Sequence, residues 1–315
     1  MTWARTLGHQ PWLWAWLGAV AVWLATITFT GGQGSGEVLS AALTFGAFFV
    51  IVALGQMFVI TLGPGNVDLS IPACMTLAAT VAMKTMDGAS AMIPIGLALA
   101  LAVGLCVGVV NYALIRLLRI PPIIATLSSS FLFQSTAIWW NRGLRVKPPE
   151  PLADFTTARI AGVPVIAILV IVLAVLMHVV LTRTIYGRSV VAIGQNMRAA
   201  HLAGIKVERI RAATYLMCAT LAGFCGYLLA AFSGGAALNM GEEYLLSSIA
   251  VVVIGGTSVA GGFANVPGLW GAALFLFLLV TMLNTFGAGA GVRLVLTGII
   301  SIGVIVAASG GRGRG

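Results

Sequence analysis

One carboxylate stands among helix-breaking residues within an otherwise apolar stretch of the chain. The stretch ITLGPGNVDLSIPA, from Ile60 to Ala73, contains Asp68 with two glycines, two prolines and an asparagine. Irregular backbone at membrane depth is tolerated only where protein or water surrounds it, and an intramembrane carboxylate is a candidate functional site. Asn66 or Asp68 can also cap the helix that follows. The sequence therefore predicts a broken helix near residues 63–68 and leaves open whether Asp68 contacts substrate or caps a helix.

A second interrupted stretch, VVVIGGTSVAGGFANVPGLWG, spans residues 251–271. It predicts another broken helix near 255–265, where glycine pairs flank Thr257 and Ser258. Paired broken segments are the best sequence pointer to a translocation site, although glycine also serves close helix packing, as in Gly104-x-x-x-Gly108. Hydroxyl, amide and carboxylate groups can hydrogen-bond a polar substrate. The residues expected to line a translocation pathway, called the pathway candidates below, are Thr61, Asn66, Asp68, Ser70, Thr257, Ser258 and Asn265.

Patterns that would indicate an enzyme or a metal site are missing from the sequence. The histidines, His9, His178 and His201, are scattered, and the four cysteines lack metal-ligand spacing. No Gly-x-Ser-x-Gly, His-Glu-x-x-His or Walker A motif occurs. The sequence therefore predicts no catalytic residues, no metal and no cofactor. If transport is driven by ATP, the nucleotide must be bound and hydrolysed by another chain.

The composition places the pathway candidates in a lipid bilayer. Of 315 residues, 60% are hydrophobic and only 8% are charged, against about a quarter charged in a soluble domain. Apolar runs of about 20 residues recur along the chain, as transmembrane helices require. We expect one all-α polytopic membrane domain over residues 1–315. The ten expected segments are 11–30, 39–62, 67–86, 91–118, 121–140, 161–181, 209–233, 244–260, 265–286 and 291–309.

The distribution of charge predicts the orientation of the chain. With the N-terminus in the cytoplasm, eleven of the seventeen basic residues lie on the inner side, where Glu208 is the only acid. Six acids, including Glu242 and Glu243, lie in outer connections. This asymmetry follows the positive-inside rule. It predicts a multi-pass protein of the bacterial inner membrane with both termini cytoplasmic, a disordered tail at 310–315, and no nucleic-acid partner despite the net charge of +9.

The longest cytoplasmic connection is predicted to be more than a linker. Residues 182–208 carry four basic residues, which are too costly to bury in hydrocarbon. A bare connector of this length is uncommon, and Val190–Ala203 has helical character with small residues. We expect a short docking helix here, and a purely structural loop is the alternative.

Several motifs resemble those of the permease subunits of ATP-binding-cassette (ABC) importers for monosaccharides, in the ribose and xylose branch. NVDLS at 66–70 stands in the place of that family's Gly-Gly-Ile-Asp-Leu-Ser signature, and PPIIATL at 121–127 matches its Pro-Pro-x-Ile-Ala-Thr-Leu element. The Ile-Gly-Gly-Thr-Ser and Gly-Gly pattern recurs at 254–262. The chain departs from the family at Asn66–Val67 and Ile71–Pro72. The related permeases for branched-chain amino acids usually lack Asp-Leu-Ser.

This resemblance implies a complete transport assembly for a small neutral sugar or polyol. Two permeases, identical or homologous, would pair in the bilayer with two cytoplasmic ATPase subunits and a periplasmic or lipid-anchored substrate-binding protein. Residues 187–205 would be the coupling element that docks on the ATPase. The residues that carry the family pattern there are Gly187, Arg188, Gly194, Asn196, Ala199, Ala200 and Gly204. Two alternatives stay open: a secondary transporter or channel with Asp68 as a proton or cation site, and a non-transporting scaffold.

Overall fold

The computed structural model describes residues 11–32, 34–141, 146–287, 289, 291–292, 295–296 and 298–299. The helices are α1 Pro11–Phe29, α2 Ser35–Thr61, α3 Ile71–Met86, α4 Ile93–Leu117, α5 Pro122–Trp140, α6 Glu150–Thr157, α7 Val165–Arg183, α8 Ile185–Gln195, α9 Met197–Leu202, α10 Val207–Phe232, α11 Tyr244–Ile254 and α12 Val266–Thr285. A 3₁₀ turn at Ser90–Met92 precedes α4. A hairpin of two strands with two residues each, β1 Arg159–Ile160 and β2 Val163–Pro164, links α6 to α7.

The predicted all-α polytopic architecture is confirmed. Six helices of the described chain, α1, α2, α4, α7, α10 and α12, are long and apolar enough to cross a bilayer. The other predicted segments include α3 and α11, which are apolar but shorter because each adjoins a predicted break. Most of the predicted segment 291–309 and the whole tail 310–315 lie outside the described residues.

Helix α2 runs through the centre of the bundle and is the longest of the described helices. Its 27 residues extend about 40 Å, which exceeds the hydrocarbon thickness of about 30 Å. The last residue, Thr61, accepts a hydrogen bond from Gly262 N and lies beside Gly194. We call this end of the bundle, which carries residues 182–208, the loop end.

Small residues let α4 pack closely on α10. A Cβ added at Gly104 would lie 2.7 Å from Thr220 Cα, and one added at Gly108 would lie 2.7 Å from Leu216 Cα. Backbone therefore touches backbone along this crossing, as glycine pairs allow in membrane helices. The packing role that the sequence offered for this glycine pair is confirmed.

Candidate functional site

The first break separates α2 from α3. Leu62 N and Gly63 N donate to carbonyls of the last turn of α2, and Gly63 and Gly65 then adopt φ angles of +118° and +77°. These angles favour glycine because a Cβ would be strained there. The chain continues without regular structure until Ile71, where Pro72 occupies the first turn of α3. The break stands where the glycines and prolines predict it.

Asp68 shapes this irregular segment and faces the protein interior. Its side chain is 1% exposed. Asp68 Oδ1 accepts hydrogen bonds from Ser70 N at 2.9 Å and from Ser70 Oγ at 2.6 Å, while Asp68 N donates to Gln56 Oε1 at 3.2 Å. A carboxylate bound to the backbone two residues ahead stabilises a turn before a helix. Asp68 Oδ2 has no hydrogen-bond partner among the described residues.

Two neighbouring helices supply further partners to the segment. Asn111 Nδ2 on α4 donates to Ser70 Oγ at 2.7 Å, and Ser129 Oγ on α5 donates to Asn111 Oδ1. Leu69 N donates to Thr126 Oγ1 at 3.1 Å. These contacts satisfy buried polar groups that would otherwise destabilise the fold. The Asp68 cluster therefore consists of Gln56, Asp68, Ser70, Asn111, Thr126 and Ser129.

The remaining pathway candidates of the first break also bond within the chain. Asn66 Oδ1 accepts from Tyr215 OH at 3.2 Å, and Asn66 Nδ2 donates to Gly63 O at 3.1 Å. Thr61 Oγ1 donates to Met57 O, one helical turn earlier. Thr61 and Ser70 are fully buried. Within a single subunit, these side chains therefore hold the break in shape.

The second break lies between α11 and α12 and meets the first one. Thr257 Oγ1 accepts from Asn265 N at 3.3 Å, and Ser258 N donates to Phe263 O at 3.0 Å. Gly262 N then donates to Thr61 O at 2.9 Å. Thr257 and Asn265 are buried, and Ser258 is half-buried. The structure thus joins the two predicted breaks through backbone at the loop end, which the sequence did not indicate.

A third irregular segment, residues 233–243, returns into the bundle. Leu238 O accepts from Gln134 Nε2 at 2.7 Å, and a Cβ at Gly241 would lie 2.7 Å from the Cα of Pro72 in the first turn of α3. The ring of Tyr244 lies 5.0 Å from that of Phe49, near the middle of α2.

The charge distribution predicts that Glu242 and Glu243 lie in an outer connection, and the structure shows that this connection, residues 233–243, folds back against α3 and α5. Both side chains are exposed and directly precede Tyr244, near the mid-length of α2. The glycine pair at 234–235 was the available signal. It indicates a turn at the end of α10. It does not indicate that the following residues fold back against α3 and α5.

Residues 182–208 form two helices, α8 and α9, instead of one. Thr184 Oγ1 accepts from Gly187 N at 3.1 Å and caps α8, while Asn196 Oδ1 accepts from Ala199 N at 2.9 Å and caps α9. Gly204 turns the chain with a φ of +85°. The family-pattern residues Gly187, Asn196 and Gly204 therefore build the shape of this element.

The family-pattern residues of the element divide between its exposed face, with Arg188, Asn196, Ala199 and Gly204, and its packed face, with Gly187, Gly194 and Ala200. Ala200 is buried and Gly194 packs against Thr61, whereas Arg188 and Ala199 are exposed. Leu202 is 80% exposed. A cavity of about 680 Å³ adjoins this face, and its lining residues are Met197, Arg198, His201, Gly204, Ile205, Lys206, Val207, Glu208 and Arg209.

The one acid of this cavity is already engaged by the chain. Glu208 Oε2 lies 2.9 Å from Arg116 Nε and accepts from Tyr112 OH at 2.7 Å. Arg211 lies 3.7 Å from the other carboxylate oxygen. The exposed basic side chains around the cavity, Arg198, Lys206 and Arg209, have no ion pair among the described residues. The surface is thus basic with apolar projections, which suits an acidic protein partner.

We expect Thr126→Val to destabilise the protein because it leaves the partly buried Leu69 N–H without an acceptor. An unsatisfied buried donor costs about 1–3 kcal/mol, and the thermal unfolding midpoint in detergent should fall accordingly. Thr136→Val on the same helix is the matched control, since its exposed hydroxyl bonds only to Leu132 O. Equal midpoints for the two variants would contradict the role given to Thr126.

Most of the chain matches a known family and known proteins. Residues 38–309 match the family model described as branched-chain amino acid transport system / permease component. The chain is 28% identical over 304 residues to the autoinducer 2 import system permease protein of Enterobacter sp. (strain 638), covering 96% of this chain and 88% of that protein.

Two further relatives are named for sugars. The chain is 32% identical over 257 residues to the ribose import permease protein of Bacillus subtilis (strain 168), covering 79% of this chain and 78% of the relative. It is 28% identical over 267 residues to the fructose import permease protein of Bifidobacterium longum (strain NCC 2705), covering 83% and 74%. No solved structure matches the chain significantly.

Proposed function

Because the chain belongs to the permease-component family whose model covers residues 38–309, we propose that it is the membrane subunit of an ATP-driven, binding-protein-dependent importer. The substrate class is a small neutral sugar or polyol. The observation that carries the proposal is the likeness to ribose and fructose import permeases over 79% and 83% of the chain. ATP is bound and hydrolysed on a separate cytoplasmic subunit.

The assembly has a second permease and a binding protein as further partners. We infer that the loop end faces the cytoplasm of a bacterial cell and that both termini of the chain lie on that side of the inner membrane. The substrate-binding protein, periplasmic or lipid-anchored, then delivers the substrate at the end of the bundle opposite the loop end. The basic residues of 182–208 support this orientation because positive charge concentrates in cytoplasmic connections.

The translocation pathway runs beside the broken segments, between two permease subunits. Glu242 and Glu243 support this placement because they are exposed near the mid-length of α2. Exposed carboxylates beside membrane-spanning helices do not face lipid, so they face a water-filled route or another protein. The segment 233–243 thus forms one wall of the pathway, and carboxylate oxygens there accept hydrogen bonds from sugar hydroxyls.

Most of the pathway candidates lie inside the subunit and stabilise the segments that border the pathway. Asn66, Ser70 and the Oδ1 atom of Asp68 form hydrogen bonds within the chain, so their role is to fix the irregular backbone that borders the route. Half-buried Ser258 is the candidate best placed to meet substrate directly. The remaining candidates, Thr61, Thr257 and Asn265, shape the second break and its contact with the first.

The coupling element docks on the ATPase through α9 and its flanks. The exposed residues Arg198 and Leu202 supply a charged and an apolar contact. Interface energy concentrates in a few such residues. Buried Ala200 and inward-facing Gly194 act instead by keeping the element in shape.

We expect the double variant Arg198→Glu/Leu202→Asp to lose the ATPase. Removing two contacts of an interface hot spot weakens association by about 30-fold or more, so an ATPase that co-purifies with the native chain in detergent should disappear. Lys147→Glu is the control, because this exposed residue lies outside residues 182–208. Undiminished co-purification with the double variant would contradict this docking surface.

A further inference from the structure

Three glycine-containing turns meet at one point of the loop end. They are the last turn of α8 at Gly194, the turn after α2 at Gly63, and the turn at Gly261–Gly262 in the second break. We call this point the glycine junction. It brings the coupling element and both broken segments into direct contact, although the three turns are far apart in the sequence.

Backbone touches backbone throughout the glycine junction. A Cβ added at Gly194 would overlap both Thr61 O and Gly262 N, and one added at Gly261 would lie 2.6 Å from Gly63 N. Gly262 N donates to Thr61 O at 2.9 Å, and Gln195 Nε2 lies 3.4 Å from Gly262 O. Real Cβ atoms do not approach other heavy atoms this closely, so positions 194 and 261 require glycine.

The other end of α8 is also fixed to the bundle. Tyr186 OH shares a hydrogen bond of 2.8 Å with Thr214 Oγ1 on α10, and its ring stacks at 6.0 Å on Phe58 of α2. Burial raises the pKa of Tyr186 to about 12, so the hydroxyl stays neutral at physiological pH. Helix α8 therefore has defined contacts along its length, and a push on it reaches the breaks without intervening flexible side chains.

We propose that the glycine junction is the element that transmits movement of residues 182–208 to both broken segments at once. The inference rests on the proposed function, because it takes α8 and α9 as the part that the ATPase moves. Packed contacts of this kind shift between discrete arrangements instead of deforming smoothly. Contact between Gly194 and both Thr61 and Gly262 means that neither break can move relative to α8 without losing the packing.

The first test separates association from coupling. Gly262→Ala places a Cβ 2.6–3.0 Å from atoms of Gln195 at a φ of +73°, whereas Gly36→Ala adds a Cβ with nothing within 4 Å and serves as the control. In proteoliposomes with the ATPase and binding protein, we expect Gly262→Ala to keep ATPase association while ATP hydrolysed per sugar imported rises by about fivefold or more. Gly36→Ala should leave this ratio unchanged.

A second measurement keeps the inference testable should Gly262→Ala fold poorly. Spin labels are placed on the exposed positions Ala199, Val259 and Leu117 in pairs, after exposed Cys106 is replaced by serine. On ATP binding, the distance between labels at 199 and 259 should stay constant. The distances from both to the label at 117 should change together, by about 1–2 Å or more.

The outcomes distinguish this inference from the proposed function. If ATPase associates and drives uptake but Gly262→Ala couples as well as Gly36→Ala, the junction is not the transmitting element. A change in the distance between labels at 199 and 259 overturns it equally. If the unaltered chain binds no ATPase, the proposed function itself fails.

Discussion

Replacing Asp68 by alanine is expected to abolish transport and to weaken the fold. The change removes the acceptor for Ser70 N and Ser70 Oγ in a site that is 1% exposed. Each buried donor left unsatisfied costs about 1–3 kcal/mol, so with two such donors the free energy of unfolding should fall by about 2–6 kcal/mol. Thermal unfolding in detergent and sugar uptake in proteoliposomes measure the two effects. Asp154→Ala is the control, because Asp154 is an exposed residue of α6.

Asp68→Asn separates the structural role from a charged one. An amide oxygen accepts the same hydrogen bonds from Ser70, so we expect this variant to fold, to bind the ATPase and to retain most of its transport. A secondary transporter that used Asp68 as a proton or cation site would lose transport with Asn while keeping its fold. That reading is not favoured by the family match or by the named relatives.

Replacing Gly104 by leucine is expected to prevent normal accumulation of the folded protein. The added side chain must enter the crossing of α4 and α10, where a Cβ alone would lie 2.5 Å from Ala219 O and 2.7 Å from Thr220 Cα. Overpacking of a close-packed interior costs about 1–3 kcal/mol and occasionally more, and here backbone, which cannot rotate away, is the obstacle.

The measurement is the yield and thermal midpoint of detergent-purified protein. Gly36→Leu in α2 is the matched control, because nothing lies within 4 Å of its added Cβ. A Gly104→Leu protein with the yield and midpoint of the control would show that α4 and α10 do not approach as closely as described.

Local sequence signals were sufficient for the long apolar helices and for the two breaks. Apolar runs of spanning length leave little choice except helix, since the bilayer offers no hydrogen bonds to the backbone. Gly63 and Pro64 stop α2 for reasons of backbone geometry alone. These features depend on neighbouring residues, so a single sequence exposes them.

The partners of Asp68 could not be predicted in the same way. Asn111 and Ser129 are single polar residues on two separate helices, and their meeting with Ser70 depends on how those helices pack. Polar residues in a membrane helix do signal an interhelical contact, but the signal does not name the partner.

The packing of Gly194 against Thr61 also depends on the tertiary structure. The sequence suggests a docking helix, but only the packed structure shows that Gly194 faces Thr61 while Leu202 faces outward. The return of 233–243 into the bundle depends similarly on its contacts with Pro72 and Gln134.

Uptake of radiolabelled ribose and fructose into proteoliposomes tests whether the chain is the membrane subunit of an ATP-driven sugar importer. The vesicles contain the chain and its ATPase, with binding protein added on the side of the membrane opposite the ATPase. Uptake of at least one sugar is expected only when ATP, the ATPase and the binding protein are all present, and the Arg198→Glu/Leu202→Asp variant should abolish it. Uptake driven by an ion gradient without ATP would show that the chain is a secondary transporter. Uptake unaffected by that variant would show that residues 198 and 202 do not dock the ATPase.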